Sequence, residues 1–143
     1  MKANLTLKIK SGQVNGQGMN LCIRDQRHVL FEQQNIAPGE FALDLDVQFP
    51  AVLTFDISGR GANDTQINSK GDIVADKFLS LDWFELVGKR ISTYQLNNRI
   101  LSYQTNSKLD AIPAFYWNCN GQAVLTIQSD DPLVWLLQHS ELW

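Results

Sequence analysis

Short runs in which apolar and polar residues alternate dominate this chain. Leu5, Leu7 and Ile9 alternate with Thr6, Lys8 and Lys10; Phe41, Leu43, Leu45 and Val47 with Ala42, Asp44 and Asp46; Leu53, Phe55 and Ile57 with Thr54, Asp56 and Ser58. A period of two puts each apolar set on one side of a strand, so each run predicts a strand with one buried face. Phe49-Pro50, between the last two runs, predicts a hairpin connection. Residues 78–87, 98–105 and 112–119 are rich in aromatic and long or branched apolar types and predict three more strands. Asn120-Gly121 has the residue types that a type I′ turn needs, with positive φ at both central positions, and predicts a hairpin joining 112–119 to 122–128. The last segment reads two ways. Asp131-Pro132 can open a helix with Leu133, Leu136 and Leu137 at helical spacing, yet LVWLL also suits a buried final strand. In an otherwise β chain a strand is expected over 132–138, with Pro132 at its first position, where a missing N–H matters least. The whole pattern predicts an all-β protein: one antiparallel β-sandwich domain of jelly-roll type over residues 1–143.

Composition changes that picture in two respects. The 143 residues are 44% hydrophobic, enough for a sizeable core, but only 19% carry charge; 11 Asn and 12 Gln make 23 neutral amides against 27 charged residues. A net charge of −3 and a pI near 5.2 exclude a phosphate-neutralising nucleic-acid binder, which needs clustered Lys and Arg. No run is long enough for a membrane span. The alternating start reads as a strand rather than a signal peptide, so a soluble protein made in the cytoplasm is expected. Cys22 and Cys119 are expected as two buried thiols, and the sequons at Asn4 and Asn63 as chance matches.

The charge is uneven. Residues 40–85 hold nine acids and three bases, a local net of −6. Inside that region, 58–76 is the longest stretch without strand alternation. There Asp64, Asn68, Asp72 and Asp76 recur every four residues, and hard cations such as Ca²⁺ take six to eight oxygens from such groups. The spacing is not that of an EF-hand. Two readings stand: a calcium site on these four residues, or a solvated loop whose Asp and Asn side chains bond their own backbone, with Lys70 and Lys77 neutralising the acids.

The motifs of catalysis are missing. His28, in a strand-like run, and His139 sit in no nucleophile–base arrangement, and the sequence has no nucleophile elbow, phosphate loop or zinc-binding His pair. A glycosidase needs only two carboxylates, which Glu32, Glu40 and Glu85 among others supply, so a small glycoside hydrolase is the third choice of function. Aromatic rings beside amides suit a sugar, whose C–H face stacks while its hydroxyls bond. Alternation places Trp83 and Trp117 in the core, leaving Tyr103, Tyr116 and Asn118 as candidate ligand-binding residues.

FALDLDVQFPAVLTFDISG, then the loop NDTQINSKGDIVAD, then KFLSLDWFELVGKRI form a strand–acidic loop–strand pattern over less than half of the chain. The pattern resembles the β-sandwich carbohydrate-binding modules that hold a calcium ion in a loop beside the sugar site. The resemblance implies a non-catalytic module, a jelly-roll fold, a glycan or polysaccharide partner, and calcium held by loop oxygens near Asp64 and Asp72. The alternative is a structural or accessory subunit of a larger assembly such as a virus particle, whose proteins reach the outside without a signal peptide. For that role a homo-oligomer is expected, with the apolar C-terminal segment ending at Trp143 as the contact.

Overall fold

The computed structural model describes residues 1–61, 64–94, 96–105 and 112–142, so Asn63 of the second sequon and Trp143 lie outside the described residues. The strands are β1 (Lys2–Gly12), β2 (Asn20–Arg24), β3 (Val29–Gln33), β4 (Gly39–Gln48), β5 (Ala51–Ser58), β6 (Thr65–Ile67), β7 (Ile73–Asp76), β8 (Phe78–Leu86), β9 (Lys89–Ser92), β10 (Leu101–Thr105), β11 (Tyr116–Trp117) and β12 (Gly121–Ile127). A helix, α1 (Pro132–Gln138), and a short 3₁₀ turn follow. One sheet runs β11-β8-β1-β4 with β9 also on β8; the other runs β10-β12-β5-β2-β3; β6 and β7 form a separate hairpin. All pairings between these strands are antiparallel, and the chain passes from one sheet to the other repeatedly, as a jelly-roll sandwich does.

The alternating runs form the core as expected. Leu5, Leu7 and Ile9 of β1 and Leu53, Phe55 and Ile57 of β5 are buried, and Trp117 of the first sheet packs 5.0 Å from the Phe55 ring of the second. Burying one such side chain is worth about 1.5–3 kcal/mol, which is why these faces set the strand registers.

Several expectations are corrected. First, Phe49-Pro50 is not a hairpin turn. β4 pairs with β1 and β5 pairs with β2 and β12, so the dipeptide is an arch that carries the chain from one sheet to the other. A two-residue hairpin would shift the phase of the alternation, whereas Leu45, Val47, Phe49, Ala51, Leu53 and Phe55 keep one phase throughout and all face the core. Second, Asn120-Gly121 joins no hairpin: β11 pairs with β8, and Gly121 already pairs with Ile57 and Thr105. Glycine is needed there because a Cβ would collide with the Gln104 carbonyl oxygen. Third, residues 132–138 are helix rather than strand. Asp131 Oδ1 accepts the Leu133 N–H at 2.9 Å, Pro132 occupies the first turn, and Trp135 and Leu136 bury one side; capping and helical spacing outweigh the β context.

The fourth correction concerns Trp83. β8 meets β1 with a bulge: Leu81 pairs with Ile9 and Trp83 with Lys8, leaving Asp82 as the extra residue. Thr93 holds the bulge open, its hydroxyl donating to the carbonyls of Leu81 and Asp82. Beyond it the phase reverses, so Phe84 and Leu86 are buried while Trp83 turns outward, with the Arg90 guanidinium 3.9 Å from its ring centre. His28 also moves, from the expected strand into the turn before Val29. Both cysteines are free, but each is half-buried rather than buried.

Candidate functional site

β5 divides the candidates between the two ends of the sandwich, one beyond Ser58 and the other before Ala51. At the Ser58 end, residues after β5, between β7 and β8, and before β12 converge on one polar network. Arg60 Nη1 donates to Asp76 Oδ1 and to the Lys77 carbonyl, each at 2.7 Å, and its Nη2 donates to Thr65 Oγ1 at 2.5 Å. The Thr65 hydroxyl donates to Asp76 Oδ1 at 2.8 Å, and the Tyr116 hydroxyl to Asp76 Oδ2 at 3.2 Å. Lys77, only 7% exposed along its side chain, donates from Nζ to the Gly59 carbonyl at 2.6 Å and to Asp64 Oδ2 at 3.2 Å. Asn120 ties this network to the second sheet by accepting from Arg60 N at 2.8 Å and donating to Arg60 O at 3.1 Å.

The electrostatics follow from these contacts. The Gly61 amide, aided by the Lys77 ammonium, holds the Asp64 carboxyl below the usual carboxylate range. Burial, reinforced by the Asp76 charge, pushes the Tyr116 hydroxyl up to about 12. Burial also raises Tyr103, whose hydroxyl donates to the Cys119 carbonyl at 2.6 Å and accepts from Cys119 N at 3.0 Å.

The predicted ligand-binding residues thus gather at this end, but both tyrosine hydroxyls are engaged internally, and the Asn118 carbonyl oxygen lies 3.6 Å from the Cys119 thiol. The four predicted metal ligands are split into two pairs. Their segment folds as the β6–β7 hairpin, which sets Asp64 and Asp76 at the base and Asn68 and Asp72 at the turn. Asn68 Oδ1 accepts the backbone N–H groups of Lys70 and Asp72 at 2.9 and 3.0 Å, which is the self-bonding of a solvated turn. A spacing of four gathers side chains on a helix, not in a hairpin. Among the described residues no three His, Cys, Asp or Glu side chains converge on a point where a metal could sit. The donors at the hairpin base do not fit a calcium ion, because each carboxylate already faces a cationic side chain.

The Ala51 end is built differently. An open cleft of about 620 Å³ wraps around the Phe49-Pro50 arch, between the Asp25–His28 turn and the outward positions of β4 and β5. Leu30, Pro50 and Val52 give it an apolar floor, and Lys2, Gln26, Arg27 and Asp46 line its rim. The turn is fixed by Asp25, whose Oδ1 accepts from Arg27 N at 2.7 Å and His28 N at 2.6 Å. These two amides, Arg27's first, hold the Asp25 carboxyl below its ordinary range. The Lys2, Gln26, Arg27 and Asp46 head groups make no hydrogen bond or ion pair with any described residue, so they are available to a ligand. The reading of the sequence missed this cleft. Its one signal was the polar run Asp25-Gln26-Arg27-His28 between two apolar segments.

No protein-family model matches the sequence, and no curated protein matches it. Solved structures do share the fold. One is the selenomethionine form of vCBM60, presented under the statement that circular permutation provides an evolutionary link between two families of calcium-dependent carbohydrate binding modules. It has a TM-score of 0.53 and 10% identity, and the match covers 88% of this chain and 91% of that one. Another is vCBM60 in complex with galactobiose, with a TM-score of 0.50, 9% identity and coverage of 86% and 97%. The antiparallel β-sandwich expected from the sequence, and its likeness to calcium-dependent carbohydrate-binding modules, therefore hold at the level of fold.

Proposed function

We propose that this chain is a non-catalytic carbohydrate-binding module and that the sugar docks in the cleft around the Phe49-Pro50 arch. The observation that carries this reading is the combination, in one cleft of about 620 Å³, of an apolar floor with rim side chains whose head groups make no hydrogen bond or ion pair with a described residue. A pyranose ring offers an apolar C–H face to Leu30, Pro50 and Val52 and hydroxyls to Gln26, Arg27 and Asp46. The volume suits a mono- or disaccharide, and the fold's likeness to a module solved with galactobiose supports the ligand class. Sugar contact is assigned to the cleft rather than to Tyr103, Tyr116 and Asn118, because both tyrosine hydroxyls are already bonded within the chain. Calcium in the 58–76 loop is left out of this reading, because Lys77 and Arg60 already face the carboxylates that would hold it. Titrating galactobiose and other neutral oligosaccharides into ¹⁵N-labelled protein tests the proposal: shifts should concentrate in residues 26–30 and 46–52. Shifts confined to the Ser58 end, or absent with every sugar, would sink it.

A second reading, an accessory subunit of a larger assembly, draws on a different observation. Ile67 and Ile73, paired across the β6–β7 hairpin, are 61% and 65% exposed, and exposed apolar surface can mark a contact region. Light scattering separates the two readings, since a monomer at high concentration argues against self-assembly.

A further inference from the structure

The fold's solved relatives are described as calcium-dependent, yet the acidic segment of this chain holds its carboxylates against its own cations. Lys77 is nearly buried, and burying an ammonium is costly unless oxygens surround it. The oxygens around Lys77 and Arg60 are a carboxylate and a backbone carbonyl for the ammonium, and a carboxylate, a carbonyl and a hydroxyl for the guanidinium. Those are the donor types that a hard divalent cation takes. They come from both ends of the 59–77 segment, so the two side chains tie the hairpin base to itself, and Asn120 and Tyr116 tie it to the sandwich.

We infer that Lys77 and Arg60 are an internal substitute for a bound divalent cation, holding Gly59 and the base of the β6–β7 hairpin on the sandwich so that this chain folds without calcium. A metal ion entering between Asp64 and Asp76 would meet two positive side chains a few ångströms from its seat, and it would have to displace both. The inference goes beyond the sugar-binding reading and does not depend on it, since it concerns the stability of the loop.

Thermal unfolding of the full chain in millimolar calcium and in chelator is the first measurement, with terbium luminescence as a direct probe of a lanthanide beside Tyr116. The two melting curves should coincide and terbium should stay dark; a rise in Tm with calcium, or sensitised terbium emission, overturns the inference. The second measurement uses Lys77→Met, which leaves Asp64 and the Gly59 carbonyl facing an apolar group. Its Tm in chelator should fall by roughly 10 °C, and calcium should restore part of the loss, as a ligand that binds only the folded state must. A variant as stable as the parent, or one indifferent to calcium, overturns the inference. Should Lys77→Met fail to fold, the double variant Lys77→Met/Asp64→Asn removes both charges together. It should recover folding, and its failure to do so also counts against the internal-cation role. Sugar titrations are not needed for any of these outcomes, so failure here and failure of the binding proposal remain distinguishable.

Discussion

The two ends of this sandwich use their polar residues in opposite ways. Beyond Ser58, Arg60, Asp64, Thr65, Asp76, Lys77, Tyr116 and Asn120 bond one another, and the Lys77 side chain is almost out of solvent. Before Ala51, the head groups of Lys2, Gln26, Arg27 and Asp46 stand around an apolar floor without such bonds to any described residue. A polar group that is already satisfied gains little from a ligand, because the new bond only replaces an old one; a solvated group beside apolar surface can exchange water for sugar at small cost. The acidic end was the more conspicuous in the sequence, and it is the less suited to recognition.

That contrast breaks most visibly if the acidic end is disrupted. Arg60→Ala removes the guanidinium that faces Asp76, Thr65 and the Lys77 carbonyl, leaving a largely buried carboxylate without its counter-charge. We expect a loss of about 3 kcal/mol in stability, read from the urea midpoint, with sugar affinity in the cleft unchanged for the folded fraction. Parallel loss of affinity would show that the ends are coupled. The converse substitution is Arg27→Ala in the cleft, an exposed change that should leave Tm within the ordinary surface range. By removing a charged donor to the ligand it should weaken sugar binding about tenfold, or about 1.4 kcal/mol, by calorimetry. An unchanged affinity would remove Arg27 from the site.

Particular residues show what the sequence could and could not reveal. The core strands were legible because period-two alternation is a direct record of burial: Leu5, Leu7 and Ile9, and Leu53, Phe55 and Ile57, are where the pattern put them. The same record held the Phe49-Pro50 arch, in the unbroken phase from Phe41 to Ile57, but the turn residues drew attention away from it. Trp83 was out of reach, since a bulge at Asp82 reverses the phase and depends on Thr93, eleven positions away. The α1 helix was legible in Asp131-Pro132 and lost to the β context. The cleft was not legible at all. It brings together Lys2, the 25–28 turn and the arch, which are distant in sequence and adjacent only once β1, β4, β5 and β2 are in register.

A smaller effect is expected at Tyr116. Tyr116→Phe deletes one hydroxyl that donates to Asp76 at 3.2 Å, and should cost about 1 kcal/mol. Because the folded protein raises this hydroxyl to about 12, its contribution to stability is complete below the ordinary tyrosine value and disappears as pH rises through about 12. An alkaline denaturation phase above about pH 10 should be present in the parent and reduced in the variant. The same phase at full amplitude in Tyr116→Phe would mean that another group titrates there.

The smallest effect, and the one that reports most locally on the cleft, belongs to Asp25. Its carboxylate accepts the amides of Arg27 and His28 and so holds the turn that presents Gln26 and Arg27 to the cleft. Since the folded state lowers this group, its contribution is present above the ordinary carboxylate value and is lost as pH falls through the depressed one. Sugar affinity should therefore be level from neutral pH down to about pH 4 and decline below it, while the protein stays folded. Asp25→Asn keeps an acceptor oxygen for the two amides but cannot titrate, so its affinity should stay flat over the same range. Asp64, at the other end, is lowered too, but by Gly61 and Lys77. Its protonation should appear in the melting curve and not in the binding isotherm. An acid-sensitive isotherm that survives Asp25→Asn would leave the turn as support rather than as the source of the pH dependence.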